Sequence, residues 1–389
     1  MMAAVEFALT LAFWGSLLAV AYAYLLYPLG VFVLKQFASR ERAEWETLPT
    51  VTLIIAAYNE EEIIGEKVEN SLELDYPEEK LDIVVFSDAS SDATDEIVQS
   101  YDDDRGRLMR IEGRVGKTEC QNRVVESVDS DIVAFSDANS MYEPDAIEAL
   151  VSRFTDDTGC VVGELHFPET GTNISGFSLY RAYERFIQRS EGAVGSVVKG
   201  NGAIYAVRRS CYVPLPRDSI SDFAELLAIR AAGWRIGFAP DAVAKERARE
   251  TVDSELRAKK RITTRSWHSL WRFTRLLNPF SYGFYSVQLW SRTILLWLSP
   301  IFLLVALFTG LPLLYIDQGL AYAVVVAGAT VYFLCLLVAV AFDRRGIAAP
   351  LLCQAAYYFA LLNVSLLVGL WNFLQNENIV VWETDDRAS

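Results

Sequence analysis

Residues 131–140 read DIVAFSDANS, and the way this stretch is built decides how the rest of the chain is read. An apolar, partly β-branched run from Ile132 to Phe135 has the length and composition of a buried strand. It breaks off at Asp137 and Asn139, two oxygen-bearing side chains separated by one small residue. Such an ending has two readings. Asp and Asn favour the turn at a strand exit, and a carboxylate beside a carboxamide is also a ligand pair for a hard divalent cation. The same construction occurs twice upstream. Val51–Ala57 (VTLIIAA) runs into YNEEE, and Leu81–Phe86 (LDIVVF) runs into SDASSD.

Between these runs lie helical patterns. One opens at Asn59-Glu-Glu-Glu62 and continues to about Ser71, with acids in its first turn that suit the helix dipole. A second starts near Thr94, and a third spans Gly116 to about Val128. Leu108–Ile111 supplies a further strand. Strands alternating with helices imply an α/β domain with a mostly parallel sheet covered on both faces. Ligands of such sheets sit beyond the carboxyl ends of the strands. The three polar clusters are therefore expected on one edge.

Outward from this domain the composition changes. Phe7–Leu34, Thr293–Ile316, Gln318–Phe342 and Gly346–Asn376 carry no charged residue. Each can cross a hydrocarbon core, which takes about 20 apolar residues. The resulting division is a transmembrane helix in 1–38, an α/β domain in 39–262, an interfacial amphipathic segment in 263–290, three transmembrane helices in 291–376 and an acidic tail in 377–389. The first span is too long for a signal peptide and no Lys or Arg precedes it. Lys35, Arg40 and Arg42 follow it, Arg292 precedes the second span, and Arg344-Arg345 lie between the third and fourth. Basic residues favour the cytoplasmic side. The expected location is thus the cell membrane, multi-pass, with the α/β domain cytoplasmic and membrane lipids as a partner.

The chain of 389 residues has a net charge of −15. That excludes a basic nucleic-acid footprint and fits either a halophilic or an ordinary acidic cytoplasmic surface. Cys120, Cys160, Cys211, Cys335 and Cys353 are odd in number and form no CxxC, so reduced structural thiols are expected and no zinc site. Trp267 and Trp271 stand four apart with Arg272 and Arg275 nearby, as in a helix at the membrane surface. His166 ends the run CVVGELHF and reads as a packing or hydrogen-bonding histidine, and His268 carries no assigned chemistry.

GRVGKTECQNR, residues 113–123, puts Lys117 at a helix start between glycines, a phosphate-binding pattern. Together with Asp137 and Asn139 one strand later, it points to a metal-bridged diphosphate.

The order AAYNEE, SDASSDAT, RVGKTECQN, FSDANS, KGNGAIYAVRR, SDFAELLAIRAAGWRIGFAP and KERARET resembles the inverting family-2 glycosyltransferases of GT-A fold, closest to the membrane-embedded branch with the hyaluronan and cellulose synthases. The resemblance covers about Pro49 to Trp267 and implies roles. Tyr58 and Glu60 would surround the nucleobase and ribose, and Asp88 would hydrogen-bond the base. Lys117 would contact the phosphates, with Arg261 as a further cation. Asp137 would bind the nucleotide sugar, and Asn139 stands where a metal-binding Asp is usual. Mg²⁺ or Mn²⁺ is the implied cofactor. Asp222 matches the catalytic base, with Glu225 next in line, and Gly200-Asn201-Gly202 would line the acceptor side. Ser221 stands where a Glu often precedes the base. Of the QxxRW that marks processive synthases, only degenerate versions occur at Lys259–Ile262 and Arg265–Trp267. The implied activity is inverting transfer from a nucleotide sugar, commonly UDP-linked, to a lipid-linked or glycan acceptor. The alternatives are a polyprenyl-phosphate sugar transferase and a catalytically idle nucleotide-sugar-binding scaffold.

Overall fold

The structure, a computed structural model, describes residues 2–38, 43, 45–167, 175–246, 252–317 and 319–377. Arg40, Arg42, the motif residues after Glu246 up to Thr251, Gln318 and all but the first residue of the acidic tail lie outside the described residues.

The chain begins with α1 (Met2–Ala21), which passes through a π-helical stretch at Tyr22–Leu26 into α2 (Tyr27–Lys35). The α/β domain follows: β1 (Val51–Ala57), α3 (Ile64–Leu72), β2 (Leu81–Ser87), α4 (Thr94–Gln99), β3 (Gly106–Arg110), α5 (Lys117–Ser127), β4 (Ile132–Asp137), β5 (Met141–Tyr142), α6 (Ala146–Val151), β6 (Thr158–His166), α7 (Ser175–Val194), β7 (Tyr205–Arg208), α8 (Ser221–Ala231) and β8 (Arg235–Lys245). The long α9 (Val252–Arg272) and two short helices, α10 (Pro279–Tyr282) and α11 (Phe284–Leu289), lead to α12 (Ser299–Ile316), α13 (Leu320–Asp343) and α14 (Leu351–Leu374).

The eight strands form one sheet in the order β3-β2-β1-β4-β7-β6-β8-β5. The first four run parallel, and β6 pairs parallel with β8, as alternation with helices requires. β7 enters antiparallel between β4 and β6, and β5 antiparallel beside β8. Every residue of β1 is buried, which explains why its run is apolar except at Thr52. Leu53 and Ile55 pack under α3 and α6, while Ile54 and Ala56 face the other way, toward α5 and α8.

Helix α3 starts at Ile64, not at Asn59. Asn59 takes a left-handed backbone (φ 51°), and its side-chain oxygen accepts from the Ser91 amide at 2.8 Å. The Glu60 amide donates to Thr94 Oγ1 and the Glu61 amide to Asp92 Oδ2. The acidic stretch is thus tied to the β2–α4 loop and does not open a helix.

Among the described residues four helices are long and apolar enough to cross a membrane: Met2–Lys35, Ser299–Ile316, Leu320–Asp343 and Leu351–Leu374. Arg292 is not a surface cation. It is 2% exposed, forms a 2.7 Å ion pair with Glu184 and lies 3.1 Å from Glu191, both on α7. The boundary expected at 262/263 falls inside α9. Trp267 on that helix packs edge-on against Trp297 and stacks near Phe373, whereas Trp271 is 69% exposed.

Candidate active site

The carboxyl ends of β1, β2 and β4 meet, as the parallel register demands. The Asp88 amide donates to Ala57 O and the Ala138 amide to Ala56 O, so both neighbouring loops leave from the end of β1. Asn59 and Ser90 are joined across the first two loops.

Asp88 is fully buried. Its carboxylate accepts from the Val115 amide at 2.8 Å, the Gly116 amide at 3.0 Å and Arg114 Nη1 at 3.2 Å. Gly113, Arg114 and Gly116 all have positive φ (95°, 47° and 94°). Such a loop persists only where its surroundings fix it, and Asp88 supplies three of the fixing bonds. The carboxylate expected at the base is therefore engaged by the loop that delivers Lys117. The Tyr58 ring is covered on one face by the Arg114 guanidinium, 3.1 Å from its centroid. Arg114 is a site residue that spacing did not single out.

Lys117 is the first residue of α5, where the positive end of the helix disfavours an ammonium. It is compensated by an ion pair with Asp137 at the end of β4. Asp222 lies in the first turn of α8. Its Oδ1 is buried and has no hydrogen-bond partner among the described residues. Burial raises the proton affinity of this carboxyl, Lys117 opposes the rise, Asp137 adds to it and Arg265 opposes it.

These residues converge on one glycine. A Cβ placed on Gly202 would lie 3.2 Å from Lys117 Nζ, 3.5 Å from Asp137 Oδ2 and 4.0 Å from Asp222 Oδ2. A Cβ on Gly200 would lie 2.7 Å from the backbone oxygen of Asp222, so this glycine lets the loop close onto α8. Asn201 between them bonds to Gly163 O and the Ile204 amide, holding the turn.

The back of the site is polar and buried. Lys67, fully enclosed, donates to Ser140 O at 2.5 Å and lies 4.1 Å from the centroid of the Tyr142 ring. Burial pushes its pKa down to about 7 against the pull of Asp137 and Glu246. Its sequence signal was its position on the buried face of α3 with Ile64, Val68 and Ser71. Arg265 on α9 is 8% exposed and donates to the carbonyls of Arg217, Asp218 and Ser219. Burial and then the charge of Arg261, one turn earlier, lower its pKa to about 10 against the pull of Asp222 and Asp218. His166 bonds to Glu164 at 2.7 Å, the structural role expected of it.

Among the described residues no group of three His, Cys, Asp or Glu is arranged to hold a metal ion. A cation completed by substrate phosphates needs fewer protein ligands, one or two oxygens for Mg²⁺. Asp137 and Asn139 supply that donor chemistry, and Asp137 Oδ2 faces the open position above Gly202. The residues fit a substrate-completed cation.

Residues 52–209 match the family model described as Glycosyl transferase family 2. The poly-beta-1,6-N-acetyl-D-glucosamine synthase of Staphylococcus aureus (strain COL) is 26% identical over 204 residues, 50% of this chain and 49% of that protein. The probable glycosyltransferase YdaM of Bacillus subtilis (strain 168) is 25% identical over 224 residues, 54% of this chain and 53% of its own. The chain spans about half the length of these curated relatives. Among solved structures, the mannosyltransferase PcManGT from Pyrobaculum calidifontis, in complex with GDP-Man and Mn²⁺, aligns over 97% of this chain and 100% of its own, with a TM-score of 0.72 at 20% identity. That likeness is one of fold, and the fold is GT-A.

Proposed function

We propose, from the premise that residues 52–209 are a glycosyl transferase family 2 domain, that the protein is a membrane-bound inverting glycosyltransferase. Its donor is a nucleoside-diphosphate sugar, to be tested first as UDP-linked, and its acceptor is a lipid-linked sugar or a growing polysaccharide. The observation that carries this reading is the convergence of Lys117, Asp137 and Asp222 on Gly202. An idle scaffold gives no reason to gather two carboxylates and an ammonium around a position kept clear of side chains.

In this mechanism the donor diphosphate lies against Lys117, which exchanges part of its pairing with Asp137 for the phosphates. The acceptor hydroxyl attacks the anomeric carbon as its proton passes to Asp222. The new C–O bond forms as the bond to the diphosphate breaks, and a single displacement inverts the centre. General-base help of this kind contributes about 10²–10⁴-fold. Burial suits Asp222 to the task because it raises the carboxylate's proton affinity. Mg²⁺ or Mn²⁺ held by Asp137 and Asn139 would supply charge neutralisation at the leaving diphosphate.

Asp222→Asn tests the assignment. The amide keeps the shape but cannot take the proton. Transfer should fall by roughly 10²-fold or more while nucleotide-sugar binding persists. Near wild-type transfer by a folded variant would remove Asp222 from the role. The α/β domain is proposed to face the cytoplasm, where nucleotide sugars are made available. External labelling of a cysteine placed at Arg344, between the last two spans, would refute that orientation.

A further inference from the structure

Glu225 lies one helical turn after Asp222 on α8, in the apolar core beneath the site, and is 1% exposed. Its Oε2 accepts from Tyr205 Oη at 3.0 Å, and Tyr205 Oη accepts from Gln121 Nε2 at 3.3 Å. Tyr205 on β7 is itself fully buried and stacks on Phe135 of β4, with ring centroids 4.7 Å apart. Gln121 belongs to α5, the helix that Lys117 opens. The Gln121–Tyr205–Glu225 chain and the Phe135 stack thus join the three elements that present Lys117, Asp137 and Asp222. Among the described residues Glu225 Oε1 is buried and has no hydrogen-bond partner, and the same is true of Asp222 Oδ1. Residues three apart on a helix share a face.

We infer that Glu225 is a positioning residue for Asp222: enclosed without a counter-ion it is the neutral acid, and its bond to Tyr205 ties the first turns of α8, which carry Asp222, to β7 and α5. This rests on the reading of Asp222 as the base. The groups facing Glu225 leave it no counter-ion. They are Asp222 on its own helix, Tyr205 from β7, Cys160 from β6 and Tyr212 beyond β7. Among the described residues no Lys, Arg or His forms an ion pair with it. Burial pushes its pKa up to about 8, the Tyr205 hydrogen bond opposes the rise and the Asp222 charge adds to it. Two neighbouring carboxyls whose environments separate their proton affinities divide their roles in this way, one ionised and one neutral. Burial keeps Tyr205, Tyr212 and Cys160 neutral over the same range.

The experiment compares the full-length wild type with Glu225→Gln and Glu225→Ala in nanodiscs. Infrared spectroscopy at pH 7 should detect a protonated-carboxyl band that is absent from Glu225→Gln and fades in the wild type above pH 8. In the transfer assay Glu225→Ala should lose at least 10-fold in kcat with little change in donor KM. Glu225→Gln, whose amide oxygen can still accept from Tyr205, should recover most of that loss and should also lack the wild type's decline above pH 8. Lys67 titrates nearby, but its contribution is common to all three proteins. Absence of the carboxyl band at pH 7, or an alkaline limb that Glu225→Gln leaves in place, overturns the inference. If the wild type transfers no sugar from any nucleotide donor, the proposed function fails, while the infrared band still reads the state of Glu225.

Discussion

Replacing Asp88 by Asn separates two roles for a residue expected at the nucleobase. In the structure its carboxylate accepts three hydrogen bonds from the 114–116 loop, at 2.8, 3.0 and 3.2 Å. Hydrogen bonds to a charged group contribute about 1.5–3 kcal/mol each. Asn retains one acceptor oxygen and turns an NH₂ toward donors, so one or two of the three bonds are lost. The loop should be destabilised by about 2–4 kcal/mol, or roughly 30- to 1,000-fold in its opening equilibrium. Hydrogen exchange of the Val115 and Gly116 amides measures this directly, since both are held by Asp88 and local opening limits their exchange. Donor affinity should fall by no more than the same factor, because Lys117 is displaced along with the loop. If amide protection is unchanged while nucleotide binding is lost, Asp88 contacts the nucleotide itself, and the positioning argument is wrong.

Gly202→Ala should fold normally, since its φ is not in the left-handed region. The added methyl, 3.2 Å from Lys117 Nζ, would fill the proposed reacting position, so transfer should fall at least about 10-fold by the loss of near-attack geometry; full activity would place the chemistry elsewhere. Chelation should weaken nucleoside-diphosphate binding in the wild type but not in Asp137→Ala, and Asn139→Asp should keep the metal response. Equal affinity with and without chelator would return Asp137–Asn139 to a turn. Stability gives a last test through Glu225. Its folded pKa of about 8 exceeds its ordinary 4.5, so between those values the native state holds a proton that the unfolded chain has released. Stability must then fall as pH rises across that window. Glu225→Gln removes this component, and identical Tm-against-pH slopes for the two proteins would contradict it.

Local pattern determined much of this molecule. Strand runs of β-branched residues, helix intervals of fitting length and a parallel crossover rule were sufficient to send Tyr58, Asp88 and Asp137 to one sheet edge, because parallel strands separated by helices share a direction. Four charge-free stretches likewise required four long apolar helices. What local pattern could not supply was which polar groups face each other. DIVAFSDANS offers the same Asp and Asn to a turn or to a ligand pair. Only the tertiary fold brings Lys117, 20 residues earlier, and Asp222, 85 residues later, to the same glycine. Asp88 and Arg292 changed meaning for the same reason. One looked like a ligand-facing carboxylate and the other like a surface cation, and each is buried against partners remote in sequence. Glu225 read as the next candidate for the base after Asp222. Its enclosure, and with it the absence of any counter-ion, exists only once β7 and α5 close over α8. Solvation and pairing are properties of the packed assembly, so the chemistry of a buried charge is settled there.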